Sequence, residues 1–190
     1  MRAIGAAYGV LGGFFIAERL LRRGEKARSL RPGRADRGST TAIGAAFGAA
    51  VLTLIVAPVL DRPKVGRFGG QRGPWAGVVL MLAGLGLRIW ALRVLGSSYT
   101  RTLQTSPEQR IVAAGPYRVV RHPGYLGDLL LWIGAGLATA NWLIAAIVAF
   151  PMAAVYLYRV AVEEAMLSDA FPGDYEKYAS RTWRLIPRVY

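Results

Sequence analysis

No cysteine occurs anywhere in this chain, and histidine occurs once, at His122. Without thiols there are no disulfides, no thiolate metal sites and no cysteine nucleophile. A single imidazole puts a histidine-rich metal centre out of reach, so no metal is expected. Acidic residues are scarce too: 11 Asp and Glu stand against 24 Lys and Arg, a formal charge of +13 over 190 residues. Such an excess can mark a nucleic-acid binder, but here the basic residues crowd the gaps between apolar blocks. That distribution fits cytoplasmic loops and anionic lipid headgroups, and no nucleic-acid partner is expected.

What the chain has in quantity is apolar sequence. It is 54% hydrophobic, and several blocks approach the 20 or so residues that cross a bilayer. Ala3–Leu21 is the first, broken only by Glu18 and Arg19 near its end. A basic run follows it instead of a small-residue cleavage site, so it reads as a retained span and not a signal peptide. Residues 22–38 carry Arg22, Arg23, Lys26, Arg28, Arg31, Arg34 and Arg37 among Gly and Pro. They read as a solvated cytoplasmic topology signal. Thr40–Leu60 is the second span, and its Gly44 and Gly48 have the spacing that suits close helix approach. A less basic loop at 61–73 lies on the far side by alternation. Pro74–Leu95 is the third span, with Trp75 at an interface and Arg88 and Arg93 placed to snorkel to the cytoplasmic surface.

Residues 96–114 are polar and short, with strand-like alternation around Thr100–Thr105 and a turn signal at Ser106-Pro107. Beyond them, Leu126–Ala138 makes a short fourth span, and Trp142–Val162 returns with a bend expected at Pro151. The brief link at 139–141 makes these two an antiparallel hairpin. The fold class expected is therefore all-α integral membrane: about five transmembrane helices, a helical hairpin of spans 4 and 5, and a cytosolic carboxyl-terminal cap. It forms one domain over 1–190, with three spans in 1–95 and the functional half in 96–190. Arg101, Arg110, Arg118, Arg121, Lys177, Arg181, Arg184 and Arg188 put that half in the cytosol and the amino terminus outside.

The densest chemistry is at Gly115–Gly127, GPYRVVRHPGYLG, which holds the only histidine. Pro123 biases His122 away from helix, so His122 is expected at an ordered turn just before a helix starts. Polar residues at a membrane-helix boundary are functional candidates; a basic turn anchoring the next helix to headgroups is the plainer alternative. Farther on, Arg159 and Glu163 lie four apart on one helix face, and Glu164 turns about 100° away. A helix-end salt bridge explains that pair equally well. Phe171–Pro187 is polar yet aromatic, which suits a folded cap and not a disordered tail. Tyr175 and Tyr178 share a face there, either packing the cap or lining a site.

Gly115-x-Tyr117, Arg121-His122-Pro123-x-Tyr125-x-Gly127, Arg159-x-x-x-Glu163-Glu164, then Leu167, Phe171, Tyr175, Tyr178 and Arg181 resemble the pattern of isoprenylcysteine carboxyl methyltransferases. Related phospholipid methyltransferases share much of it. The resemblance covers about residues 96–187, and Pro172, between Phe171 and Gly173, departs from it slightly. It implies an integral membrane enzyme using S-adenosyl-L-methionine, with S-adenosyl-L-homocysteine as product, and lacking the Rossmann-like fold of soluble methyltransferases. The cofactor contacts it implies are Gln104, Gln109, Arg110, Ile111, Val112, Tyr117, His122, Pro123, Gly124, Tyr125 and Glu163. It assigns Arg159 and Arg181 to the substrate carboxylate, with Arg121 as a further candidate for that work.

The residue chemistry is compatible with that assignment. A carboxylate acceptor is already ionised at neutral pH, so methyl transfer to it needs orientation and dryness but no general base. Arginine grips carboxylates through paired donors. The acceptor expected is a lipophilic or prenylated molecule entering from the bilayer, with membrane lipids around it. Phospholipid N-methylation is the near alternative and would give Glu164 a base role. An NADPH-dependent sterol-type membrane reductase is the alternative from another class. The Arg, Ala and Gly richness hints at a bacterial inner membrane.

Overall fold

The computed structural model describes residues 2–21, 33–70, 72–96 and 110–190. The expected strand around 100–105, the turn at Ser106-Pro107, Gln104, Gln109 and most of the first basic loop lie outside these residues. Among these residues six α-helices follow in order: α1 (Arg2–Leu21), α2 (Ser39–Leu60), α3 (Arg72–Leu95), α4 (Pro123–Leu137), α5 (Trp142–Ala170) and α6 (Asp174–Ala179). Two 3₁₀ turns, Arg34–Asp36 and Gly115–Arg118, precede α2 and α4. The helices coincide with the apolar blocks, because in hydrocarbon each backbone N–H must find its partner within its own segment.

Four helices, α1, α2, α3 and α5, are long and apolar enough to cross a membrane. The fifth expected span is α4, whose 15 residues reach only about 22 Å against a hydrocarbon core of roughly 30 Å. The bundle is thus four long helices and one short one, and the short helix leaves depth for a recess at its amino-terminal end. The last span is longer than expected: α5 runs through Pro151 to Ala170, 29 residues. Its final turns carry the acidic pair beyond the apolar section.

α3 packs most extensively against α4, α4 against α5, α2 against α5, and α1 against α3. At the α3–α4 contact two glycine pairs meet, Gly77 with Gly134 and Gly84 with Gly127. A Cβ on Gly84 would stand 2.5 Å from the Gly127 carbonyl oxygen, and one on Gly134 would stand 2.5 Å from that of Gly77. The close approach expected at Gly44 and Gly48 is not made there: a Cβ at either meets nothing within 4 Å. The stripe that matters lies on α3 and α4, where an antiparallel pair repeats its contact at matching intervals. Inside, Trp132, Met81, Leu131 and Phe14 are almost fully buried, and the Trp132 ring meets Phe47 edge-on at 4.9 Å. Outside, Ile55, Val79 and Phe150 are more than 60% exposed, a lipid-facing surface.

The hairpin turn between α4 and α5 is locked from the far side. Asn141 caps α5 by accepting from Leu143 N at 2.9 Å, and its amide donates to Asp61 Oδ1 at 2.9 Å and Val65 O at 2.8 Å.

Arg88 departs from expectation. It does not snorkel but lies buried, its Nε 2.8 Å from Glu18 Oε1 on α1 and its Nη1 3.4 Å from Asp128 Oδ2 on α4. Asp128 in turn accepts from the Tyr156 hydroxyl of α5 at 2.7 Å. A guanidinium in an apolar bundle is retained only with partners, and this one draws carboxylates from two neighbouring helices, with α5 joining through Asp128.

Gly84→Ala should lower the thermal midpoint of the detergent-solubilised protein, by an overpacking cost of about 1–3 kcal/mol. Gly48→Ala should leave it unchanged or raise it, by up to about 1 kcal/mol of helix propensity. Circular dichroism melts of the two variants provide the comparison.

Candidate active site

At the end of the bundle opposite the Asn141 turn, the chain closes around a cavity of about 900 Å³, counting its open mouth. Its walls are the last turns of α3 (Arg88, Ala91, Leu92, Leu95), the extended segment Arg110-Ile111-Val112, and Tyr117 of the second 3₁₀ turn. Arg121, His122, Gly124 and Tyr125 add one side, Glu163, Met166 and Leu167 of α5 another, and Tyr175 and Tyr178 of α6 form the lid.

His122 takes the position before α4, as expected, with Pro123 as the first helical residue. Its ring stacks on Tyr125 with planes 10° apart, and its Nε2 lies 3.3 Å from Glu164 Oε1. An ionised carboxylate only accepts, so Nε2 is the donor there. Gly124 leaves room for Arg88, whose Nη1 would be 2.8 Å from a Cβ at that position.

The acidic pair divides its work. The Glu163 carboxylate lines the cavity, accepts the Tyr125 hydroxyl at 2.6 Å, and stands 3.9 Å from His122 Nδ1. Glu164 faces away and gathers Arg121 Nε at 2.7 Å and Arg184 Nε at 2.8 Å besides His122. Arg121 also donates through Nη1 to the carbonyls of Ala179, at 2.9 Å, and Thr182. Glu164 and Arg121 thereby clamp the cap onto the 115–122 turn. Backbone bonds reinforce the clamp, with Arg121 N donating to Trp183 O at 2.7 Å and Trp183 N to Val119 O at 3.0 Å. The carboxyl end is a folded cap, as its aromatic content implied.

In that cap the Tyr178 hydroxyl donates to the Tyr117 carbonyl at 2.9 Å. Burial pushes its pKa up to about 12, the Glu164 charge adds to the rise, and Arg121 moderates it. Tyr175 is 4% exposed, and its hydroxyl has no hydrogen-bond partner among the described residues although it lines the cavity. Burial likewise drives its pKa well up, with Glu164 adding to the effect. A buried hydroxyl left without a partner costs about 1–3 kcal/mol, which a polar ligand in the cavity would relieve.

The three arginines that the resemblance assigns to a carboxylate occupy different situations. Arg159 is buried, its Nη1 2.8 Å from Asp36 Oδ1 and 2.7 Å from Ser39 Oγ, and its Nε 3.1 Å from the Tyr125 hydroxyl. Arg121 is committed to the cap. Arg181 is exposed and lines an outer recess with Arg118 and Lys177, and this recess shares Arg110, Ile111 and Tyr178 with the cavity. Of the expected cofactor residues, Arg110, Ile111, Val112, Tyr117, His122, Gly124, Tyr125 and Glu163 line the cavity. Pro123 is fully buried behind it.

A model of the isoprenylcysteine carboxyl methyltransferase family matches residues 77–169, which hold the α3 wall, the 110–125 turn and both glutamates. Over that stretch the chain matches this family. It is 31% identical over 148 residues to the cobalt-zinc-cadmium resistance protein CzcN of Cupriavidus metallidurans, covering 73% of this chain and 61% of that protein. It is 28% identical over 117 residues to a probable protein-S-isoprenylcysteine O-methyltransferase of Oryza sativa subsp. indica, covering 60% and 61%. The chain thus spans about three-fifths of the length of these curated relatives. Its fold is that of the eukaryotic intramembrane Ras methyltransferase ICMT, with a TM-score of 0.63 over 97% of this chain and 68% of that one, at 20% identity.

Asp36, Ser39, Thr40, Glu18, Arg88 and Asp128 surround the cavity or its supports, and motif reasoning passed over their roles. Arg88 and Asp128, charged residues in apolar runs, were visible signals. Asp36 was not, since it lies in a run read as a solvated basic loop. In the fold it is 1% exposed. Burial would raise its pKa, but hydrogen bonds from Thr40 and the charge of Arg159 hold it below the usual carboxylate range.

Glu164→Ala should release the cap: amide hydrogen exchange over 174–183 should quicken while α2 and α3 stay protected. A pH effect follows from Tyr178, whose folded pKa of about 12 lies above an ordinary value near 10. The folded chain therefore keeps that proton longer, and the contribution is whole below pH 10 and lost as pH rises through 12. Tyrosinate absorbance should show a step near pH 12 that Tyr178→Phe lacks.

Proposed function

We propose that this chain is an S-adenosyl-L-methionine-dependent methyltransferase acting on a lipophilic carboxylate at the membrane. The observation that carries the reading is the cavity itself. It brings the expected cofactor residues of three separate segments together around Glu163 and the unpartnered Tyr175 hydroxyl. When bound, the cofactor would supply an activated methyl group on a cationic sulfur. Glu163 would hold a cationic or hydroxyl group of it, the 110–112 segment would edge its flat base, and the His122–Tyr125 stack would give a face for positive charge. Tyr175 and Tyr178 would cover it and keep water out, which strengthens each polar contact inside.

The acceptor must bring its carboxylate to the methyl in line, at about 3 Å, without surrendering its negative charge. Arg181 at the mouth, with Arg110 beside it, suits that task because exposed guanidiniums orient an anion without fully neutralising it. Arg159 and Arg121, already engaged by carboxylates, would shape the site from behind. Glu164 is ill-suited to be the base an amine acceptor would require, since three donors already occupy it. The acceptor's apolar portion would reach the mouth from the bilayer beside the short α4. We further propose a bacterial inner-membrane location with the cavity facing the cytosol, consistent with the basic residues at that end.

Titration of the detergent-solubilised chain with S-adenosyl-L-homocysteine and, separately, NADPH tests the reading. Micromolar binding of the first alone supports it, and binding of NADPH alone or of neither sinks it. Glu163→Ala should weaken S-adenosyl-L-homocysteine at least tenfold, on the order of the cost of one charged hydrogen bond. Arg181→Ala should leave that affinity within about twofold and lower turnover on lipid carboxylates, as expected of an exposed charge away from the bound group.

A further inference from the structure

We propose that Asp36, with Ser39 and Thr40, is a positioning element for the cavity, acting through Arg159 and the Tyr125 hydroxyl on Glu163. The proposal rests on the cofactor reading given above. It concerns a residue some 120 positions away in sequence from the group it serves, on a turn outside the family match.

The links are short and each has a direction. Thr40 donates to Asp36 through its backbone N at 3.1 Å and its Oγ1 at 2.6 Å, and Ser39 Oγ donates at 3.2 Å. With those hydrogens spent, the two hydroxyl oxygens can only accept from Arg159 Nη1, at 2.7 Å for Ser39 and 3.1 Å for Thr40. Nη1 also reaches Asp36 itself at 2.8 Å. The other edge of the guanidinium sends Nε–H to the Tyr125 oxygen at 3.1 Å. A phenol has one hydrogen, and with Arg159 on a lone pair that hydrogen is left for Glu163 Oε2, 2.6 Å away. Donors thus run outward from Arg159 to two carboxylates, directly to the buried Asp36 and through the Tyr125 hydroxyl to Glu163 at the cavity.

Charge makes the same point. One guanidinium stands between two carboxylates, in direct contact with Asp36 and separated from Glu163 by a neutral hydroxyl. Asp36, in direct contact at 2.8 Å, shares the Arg159 charge with Glu163, which leaves Glu163 more negative potential for a ligand than an unshared guanidinium would. If Asp36 lost its charge, Arg159 would be drawn towards Glu163, and the Tyr125 hydroxyl would lose its fixed aim. A structural tether alone would require none of this directionality.

The two roles separate in a double-mutant cycle read by calorimetric titration of the full chain with S-adenosyl-L-homocysteine. Asp36→Asn should weaken binding by roughly tenfold, a coupling of the size seen within one hydrogen-bond network. Placed on Tyr125→Phe, which cuts the series while leaving Asp36 and Arg159 in contact, the same substitution should change affinity by less than about twofold. Asp36→Glu should recover part of the loss. Equal losses in both backgrounds, or no loss in either, would overturn the proposal. Should Asp36→Asn fail to fold, Thr40→Val runs the same comparison, since it removes one donor to Asp36 and one acceptor for Arg159 without stranding a charge. Failure of the unaltered chain to bind would overturn the cofactor reading, and this inference with it. Binding by the unaltered chain without the expected cycle would overturn this inference alone.

Discussion

A buried guanidinium cannot be left unpaired in an apolar bundle, and that constraint organises this structure more than any other. Desolvating one charge costs several kcal/mol, and partners must return it through good geometry. Arg88 collects Glu18 and Asp128, and Arg159 collects Asp36 with two hydroxyls. Each set draws on different elements, so satisfying the charges fixes how α1, the turn before α2, α3, α4 and α5 stand against one another. Both arginines also border the cavity or the side chains that line it. The architecture and the site are therefore stabilised by the same contacts.

Glycine contacts on the α3–α4 pair complete this arrangement. With backbones meeting at Gly77, Gly84, Gly127 and Gly134, α3 comes close enough for Arg88 to pass beside Gly124 and enter the cavity wall. The same approach brings Ala91, Leu92 and Leu95 opposite His122 and Tyr125 across the pocket. Shortness of α4 does the rest. Because it starts at Pro123, well inside the length of its neighbours, the His122 turn sits within the bundle's end and not above it. The cap then closes over a recess that already has walls on three sides.

What the sequence made legible was local. Hydropathy blocks marked the helices, Pro123 placed His122 just ahead of α4, and i, i+4 spacing put Arg159 and Glu163 on one face, where the Tyr125 hydroxyl now joins them. Each of these follows from a period or from a backbone restriction that acts within a few residues. Illegible were the pairings that only a fold creates: Asp36 with Arg159, Glu18 with Arg88, Arg184 with Glu164. Nothing in RPGRADRG distinguishes its one aspartate from a solvated counter-charge. Arg88 illustrates the limit from the other side. Its place in an apolar helix was visible, but snorkelling and burial with carboxylates look alike until the neighbouring helices are placed. Small-residue spacing likewise cannot tell Gly44 and Gly48, which meet nothing, from Gly77 and Gly84.

The division between Glu163 and Glu164 bears on the kind of chemistry the end of this bundle can support. Proton abstraction needs a carboxylate with a free lone pair and a neighbourhood that does not favour its charge. Glu164 lacks the second, since two guanidiniums and an imidazole donor favour its charge. Glu163 is turned to the cavity, but its Oε2 is already held by Tyr125, which suits a ligand anchor better than a base. Meanwhile accessible cations, Arg110, Arg118, Lys177 and Arg181, line the outer recess beside the cavity. On the proposed function, a site with anchored carboxylates inside and exposed positive charge outside would receive a cationic donor from one side and an anionic acceptor from the other. It would ask neither of them for a proton. An amine acceptor would meet this field the wrong way round, arriving with a positive charge among arginines and finding no base to relieve it.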